Sequence, residues 1–271
     1  MKNFLLIFAI AALVLVSGCT SSNQNNNTNA GNEYSDIKIT ELDNLKVGNV
    51  TVTLLGHASF EIEDSKIAYI DPFVLPENAT KADYILLTHD HFDHCDVNNA
   101  NSMRKGVTRT IGQVDCIKKL TGLTNSIQPG EFFQYTGGIR IAAVEAYNLN
   151  KFKSPGQLYH PKGSGVGFVV TMDGVKIYHA GDTDNIPEMS ALKNESIDIA
   201  LLPIDGVTTM NAKEAAAAAI AINPKYVVPM HFSSDNYGIT GMTADPRELV
   251  KLLENTNITA IVLKPLVSKT V

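Results

Sequence analysis

Residues 88–96 read Thr-His-Asp-His-Phe-Asp-His-Cys-Asp, which places His89, His91 and His94 within six positions among three carboxylates. Imidazole suits zinc and related transition metals, and a carboxylate can bind a second ion or bridge two. Two histidines on one helix face would stand four residues apart. His89 and His91 stand two apart, a spacing that fits a loop wrapped around a metal pair. A solvated polar loop would seldom collect so many side chains that are neutral, and so ready to bind metal, at pH 7. The short apolar run Asp83–Leu87 just upstream has strand length, so a rigid strand delivers the cluster into a loop.

The same arrangement recurs. The run Val175–His179 leads to Gly181-Asp182-Thr183, Tyr226–Met230 leads to His231, and Ile67–Ile70 delivers Asp71. Strands lying side by side would gather these ends into one Asp/His cluster at one edge.

The elements that must position them are readable from pattern. Alternation predicts strands over 50–55, 58–63 and 66–70, then 84–88, 107–111 and 139–144. A hairpin is expected over 167–172 and 175–179 across Asp173-Gly174, with further strands over 197–202, 225–229 and 258–263. Helices are expected over 98–105, over 113–120 and from Pro187. Two more should run over 215–222, behind the capping-box pair Asn211 and Glu214, and over 245–253, with Pro246 in the first turn. Residues 148–162 read as irregular, broken by Pro155, Gly156 and Pro161. Each half carries strands first and then strands mixed with helices. Two packed sheets with helices outside is the α/β layering that buries all these faces.

Together these motifs resemble the metallo-β-lactamase superfamily, from about Val50 to Val267. The resemblance implies a four-layer αββα sandwich of two mixed sheets with outer helices, ringing a site for one or two metal ions. It implies that His89 and His91 hold one ion while Asp93, His94 and His231 hold the other, with Asp182 between. Asp71 would orient a ligand histidine, and Asp93 and Asp182 would serve catalysis. Zinc is the expected metal, with Mn2+ and Fe2+ as alternatives. Leu55-Gly56-His57-Ala58-Ser59-Phe60, Ile70-Asp71-Pro72-Phe73 and residues 178–184 are similar to the hydrolase branch that includes ascorbate-6-phosphate lactonases and N-acylphosphatidylethanolamine phospholipases D. The sequence departs from the superfamily at the third motif, where Glu145-Ala146-Tyr147-Asn148 lacks the usual histidine. Asn148 is a poor zinc ligand, so either Glu145 or the later His160 fills that position, or the first site is weak and the centre runs on one metal. His160 is favoured, because the irregular loop can fold back over the site. His57 is read as a ligand, a substrate contact or a support and is counted with the catalytic residues. His179, three residues before Asp182, is given a supporting role. Lys151, Lys153 and Lys162 are read as solvated, with binding of an anionic group as the alternative.

The N-terminal part is separate from this fold. Lys2 precedes the apolar run Phe4–Val16, too short for a membrane span and suited to a signal-peptide core. Val16-Ser17-Gly18-Cys19 resembles the lipobox of prokaryotic lipoproteins, which implies a lipid on Cys19. We therefore expect a signal peptide over 1–18, a flexible polar tether over 19–36 and the hydrolase-like domain over 37–271. The domain would be anchored to the cell membrane by its lipid and face outside the cytoplasm. Cys95 and Cys116 do not make a disulfide framework. They are read as buried free thiols, with a disulfide, or a ligand role for Cys95, left open. The net charge of -6 and the lack of a long basic run argue against a nucleic-acid partner, leaving a small-molecule or lipid substrate and an open oligomeric state.

The chemistry expected is hydrolysis of an ester, lactone, amide or phosphodiester by a metal-bound hydroxide. The alternative is a non-catalytic metal- or ligand-binding lipoprotein on the same fold. A di-iron oxygen-reducing relative would resemble H-x-E-x-D in the loop, where this chain has His91.

Overall fold

Alternation along the first strands sorts side chains onto two cores. Leu54, Phe60, Ile70 and Leu86 join one buried cluster, while Leu55, Tyr69, Ile85 and Leu87 join another. Successive side chains on a strand point to opposite faces, so the first sheet is buried on both. Its inner face meets Ile141, Phe168, Val170, Ile177 and Leu201 of the second sheet. Its outer face is covered by Ala100, Cys116 and Ile117.

This computed structural model describes residues 34, 36–232 and 242–267. The readings of a signal peptide, of lipid on Cys19 and of most of the tether lie outside the described residues. Among the described residues no helix is long and apolar enough to cross a membrane.

In chain order the strands are β1 (Glu41–Leu42), β2 (Leu45–Val47), β3 (Val50–Gly56), β4 (Ser59–Glu63), β5 (Ile67–Ile70), β6 (Ala82–Leu87), β7 (Arg104–Gly112), β8 (Thr124–Ser126) and β9 (Phe132–Gln134). They continue as β10 (Arg140–Ala146), β11 (Phe152–Ser154), β12 (Gln157–Leu158), β13 (Gly165–Met172), β14 (Val175–His179), β15 (Ile199–Pro203), β16 (Tyr226–Met230), β17 (Thr259–Ala260) and β18 (Val262–Leu263). The helices are α1 (Val97–Ser102), α2 (Val114–Ile117), α3 (Ala212–Ile222) and α4 (Pro246–Leu253), with a 3₁₀ segment over Pro187–Glu195. One seven-stranded sheet has the order β2-β3-β4-β5-β6-β7-β8, and the other has β9-β10-β13-β14-β15-β16-β17. Followed in chain order, each sheet opens with antiparallel pairings up to its fourth strand and then continues in parallel. Helices α1 and α2 lie outside the first sheet. The 3₁₀ segment, α3 and α4 lie outside the second, with α3 touching both neighbours and β15. This is the four-layer αββα sandwich of two mixed sheets.

Local chemistry sets the helix starts. Asn211 and Glu214 form the reciprocal capping box of α3, and Asp245 caps α4 ahead of Pro246. Elsewhere the elements differ from expectation. The helix expected over 98–105 ends at Ser102, because residues 104–112 pair in parallel with β6. The helix over 113–120 contracts to α2. The stretch 258–263 divides, with β17 on β16 and β18 on β1.

The two free thiols are corrected to a disulfide between Cys95 and Cys116, with Cα atoms 6.0 Å apart. Gln113 donates its backbone N–H to the Leu87 carbonyl, which sets α2 beside the end of β6 and turns Cys116 toward the loop carrying Cys95. Closing a loop of 21 residues restricts the unfolded chain and stabilises by about 3 kcal/mol. Cys116→Ser should lower the unfolding free energy in urea by about that amount; a variant as stable as the parent would contradict the assignment.

Candidate metal centre

Each strand end delivers one part of the centre. Asp71 follows β5, the loop His89–His94 follows β6, Asp182 follows β14, Asp205 follows β15 and His231 follows β16. His57 occupies the β3–β4 turn, while Asn148 and His160 lie between β10 and β13. His57, Asp71 and His231 all have left-handed backbones, with φ of 56°, 46° and 57°. Such residues are uncommon outside glycine and cluster at functional sites. The His231 N–H donates to the His57 carbonyl, so two of these turns hold each other. Gly181, at φ +64°, gives the chain its bend before Asp182; a Cβ there would lie 2.9 Å from the Val166 carbonyl oxygen.

Four histidines are fixed through one ring nitrogen. His94 Nδ1 donates to Asp71 Oδ2 at 2.7 Å, and Asp71 also accepts from Thr88 N and Oγ1 at 2.8 and 2.6 Å. The Thr88 hydroxyl in turn accepts from His89 Nδ1 at 3.0 Å. His231 Nδ1 donates to Asp205 Oδ2 at 3.0 Å, and His160 Nδ1 donates to Asn148 Oδ1 at 3.0 Å. Each bond fixes its ring with Nε2 facing inward, the arrangement of metal-binding histidines with an outer acceptor.

Inward of these rings lies Asp182. Its carboxylate is 3.3 Å from Nε2 of His160 and of His231, 3.4 Å from that of His94 and 3.9 Å from that of His89. The Nε2 atoms of His89, His94 and His231 and the Oδ1 of Asp182 are buried without a hydrogen-bond partner. Buried polar atoms are almost always paired, so four unpaired atoms pointing at one another mark a place for a cation. The donors fall into three overlapping groups: His89, His91 and His160; His89, His94 and Asp182; and His57, Asp93, His94 and His231. His57 Nε2 donates to Asp93 Oδ2 at 3.2 Å. Nitrogen and carboxylate donors of this kind fit zinc and its neighbours.

The charges respond as this packing requires. Burial pushes His57 and His160 down to about 4 and holds His89 well below its ordinary value. For His94 and His231 burial acts in the same direction but is outweighed. Asp182, Asp93 and Asp71 raise His94 well above the ordinary value, and Asp182 with Asp205 raises His231 to about 10. Burial would raise Asp93 and Asp182, yet the neighbouring imidazoles hold both below the usual carboxylate range. Carboxylates that draw protons onto His94 and His231 would draw a cation equally.

A profile for the beta-lactamase superfamily domain matches residues 51–231. A UPF0173 metal-dependent hydrolase of Thermococcus onnurineus is 37% identical over 228 residues, covering 80% of this chain and 97% of the relative. The chain belongs to the UPF0173 metal-dependent hydrolase family. Among solved structures it is similar to a protein of Parabacteroides distasonis described as a metal-dependent hydrolase (TM-score 0.69, 32% identity, 81% of this chain and 96% of that one). It is also similar to a metallo hydrolase of Ignicoccus hospitalis (TM-score 0.65, 28% identity, 82% and 97% covered).

In this UPF0173 chain the structure brings together His57, His89, His91, Asp93, His94, His160, Asp182 and His231. Of the three candidates for the third motif, His160 reaches the cluster. Glu145 turns away and pairs with Lys162 at 3.4 Å, and Asn148 holds the His160 ring. His179 stays outside the donor groups. Its Nε2 donates to the Ala58 carbonyl and its Nδ1 accepts from Gly181 N, at 3.0 and 3.1 Å, tying the His57 turn to the Asp182 loop. Asp205 was absent from the sequence-derived candidates. The signal existed: the buried strand over 197–202 also ends in a carboxylate, in Pro203-Ile204-Asp205.

Asp205→Asn should weaken zinc binding about 10- to 100-fold in chelator competition; an unchanged affinity would contradict the orienting role. The neighbouring carboxylates raise His231 to about 10 and raise His94 in the same direction, so a cation taking their Nε2 atoms competes with protons and its apparent affinity should rise with pH. A zinc affinity that chelator competition finds unchanged between about pH 6 and pH 8 would contradict this.

Proposed function

We propose that the chain is a zinc-dependent hydrolase that cleaves an ester, lactone, amide or phosphodiester bond, tethered to the outer side of a cell membrane by a lipid on Cys19. The observation that carries the hydrolase reading is the set of buried, unpaired Nε2 atoms facing the Asp182 carboxylate. We assign His89, His91 and His160 to one ion and Asp93, His94 and His231 to a second, with Asp182 between them. When bound, such ions lower the pKa of water to about 7 and polarise a carbonyl or phosphoryl oxygen.

The chain's own residues do the rest. Asp93 stays ionised beside His94 and His57, so its carboxylate can accept a hydrogen bond from the attacking water and hold it in line. His57, neutral and donating to Asp93, fixes the direction of that carboxylate. Asp71 and Asp205 keep His94 and His231 in one tautomer, which removes a reorganisation step from the reaction. The likeness of Leu55–Phe60 and of residues 178–184 to ascorbate-6-phosphate lactonases and N-acylphosphatidylethanolamine phospholipases D supports an ester-type or phosphodiester bond. The lipobox-like Val16–Cys19 stretch supports the tether. The disulfide agrees with a compartment outside the cytoplasm, where such bonds persist.

Zinc-loaded protein should turn over at least one member of an ester, lactone and phosphodiester panel. His91→Ala and Asp182→Ala should each lose metal and at least about a hundredfold in kcat/KM, more than the loss of an orienting partner causes. Full metal content with full activity in these variants would overturn the assignment. Mass spectrometry of the protein from the membrane fraction of the producing cell should find Cys19 at the N-terminus carrying a lipid, and an unmodified Cys19 or a retained segment 1–18 would refute the lipid anchor.

A further inference from the structure

The loops that hold the centre carry an apolar surface that the chemistry of hydrolysis does not require. Phe92, between His91 and Asp93, is 67% exposed, and Leu149, Phe152 and Val207 are 49%, 51% and 52% exposed. Each adjoins a part of the site. The Phe92 ring meets Phe73 edge-on at 5.8 Å, and Phe73 meets His57 in the same way at 6.2 Å. Leu149 follows Asn148, which orients His160, and its N–H donates to Asp184 Oδ2 at 2.7 Å. Val207 donates its N–H to Asp205 Oδ1 at 2.6 Å, and Asp205 orients His231. Asn148 Nδ2 donates to the Thr208 carbonyl at 3.0 Å, which joins the Leu149 and Val207 loops. Phe152 opens the β11–β12 hairpin that leads to His160. Backbone bonds therefore present Leu149 and Val207 to solvent beside the site. Single exposed apolar residues need no explanation; four of them on the loops that hold one site are the ground for inferring a binding surface there.

The same loops offer little to a charged substrate. Lys151 is engaged by Glu214 at 2.9 Å and Lys162 by Glu188 at 2.7 Å, which leaves Lys153 of the three lysines read from sequence. Phosphate and carboxylate groups are gripped best by arginine forks, and residues 89–94, 148–160 and 205–210 contain no arginine.

We infer that the substrate is an uncharged ester or lactone bearing an extended aliphatic acyl chain, which lies against Phe92, Leu149, Phe152 and Val207 while the reacting carbonyl faces Asp182. This rests on the hydrolase reading and narrows it to one substrate class.

The test uses zinc-loaded full chain with 4-nitrophenyl acetate, 4-nitrophenyl octanoate and bis(4-nitrophenyl) phosphate, and calorimetric binding of acetohydroxamate and octanohydroxamate. We expect kcat/KM for octanoate to exceed that for acetate by about tenfold or more, from the apolar area the longer chain buries. Octanohydroxamate should bind tighter than acetohydroxamate by a similar factor. In the double variant Phe92→Ser/Phe152→Ser both ratios should fall about tenfold, whereas Val107→Ser, an exposed apolar site on β7, should leave them as they are. Ratios near one, ratios indifferent to the double variant, or a phosphodiester preferred to both esters would overturn the inference. If no ester is hydrolysed while the hydroxamate preference and its loss in the double variant hold, the apolar site stands and the hydrolase reading fails.

Discussion

One buried carboxylate organises the centre. A charge taken out of water is tolerated only with compensating partners, and Asp182, 5% exposed, has imidazoles on every side. The requirement spreads outward, because an imidazole can present Nε2 to Asp182 only if its Nδ1 is fixed elsewhere. His94 uses Asp71, His231 uses Asp205, His160 uses Asn148 and His89 uses Thr88. The site is therefore concentric, with an anion inside, imidazoles around it and a second set of acceptors behind them. Asp71 and Thr88 directly follow β5 and β6, and Asn148 and Asp205 lie two residues past β10 and β15, so the sheets set the positions of all four outer acceptors.

The shared order of the two sheets explains why the parts converge. Asp71 ends the fourth strand of the first sheet, and Asp182 follows the fourth strand of the second. The His89–His94 loop follows the fifth strand of the first sheet, as the Asp205 loop follows the fifth of the second. The halves contribute unequally: the first uses its fourth-strand aspartate to hold a histidine, and the second places its own at the centre. His179 then joins the halves, bonding the first through Ala58 and the second through Gly181.

Much of this was legible in the residues. Long apolar strands with period-2 alternation, the Asn211–Glu214 cap and the ligand types at strand ends are local signals, and they gave the layers and most of the cluster. Short polar strands such as β8, Thr124-Asn125-Ser126, carry no alternation and exist only because β7 offers a free edge. The pairing of Cys95 with Cys116 depended on where α2 lands, which the sequence pattern alone does not encode. The service of Asn148 to His160 depends on the fold-back of residues 148–160, which local pattern does not show. Asp205 follows the same pattern as Asp182 and His231, a ligand-type residue just past a buried strand.

The proposed hydrolysis, and the acyl-chain substrate inferred for it, both require metal ions in the space between the imidazoles. The most direct test is an anomalous difference map, collected at the zinc edge, from crystals of the zinc-loaded protein. The account predicts two peaks flanking the Asp182 carboxylate, one bounded by His89, His91 and His160 and the other by Asp93, His94 and His231. Zinc at neither position, or bound only elsewhere on the protein, would contradict it.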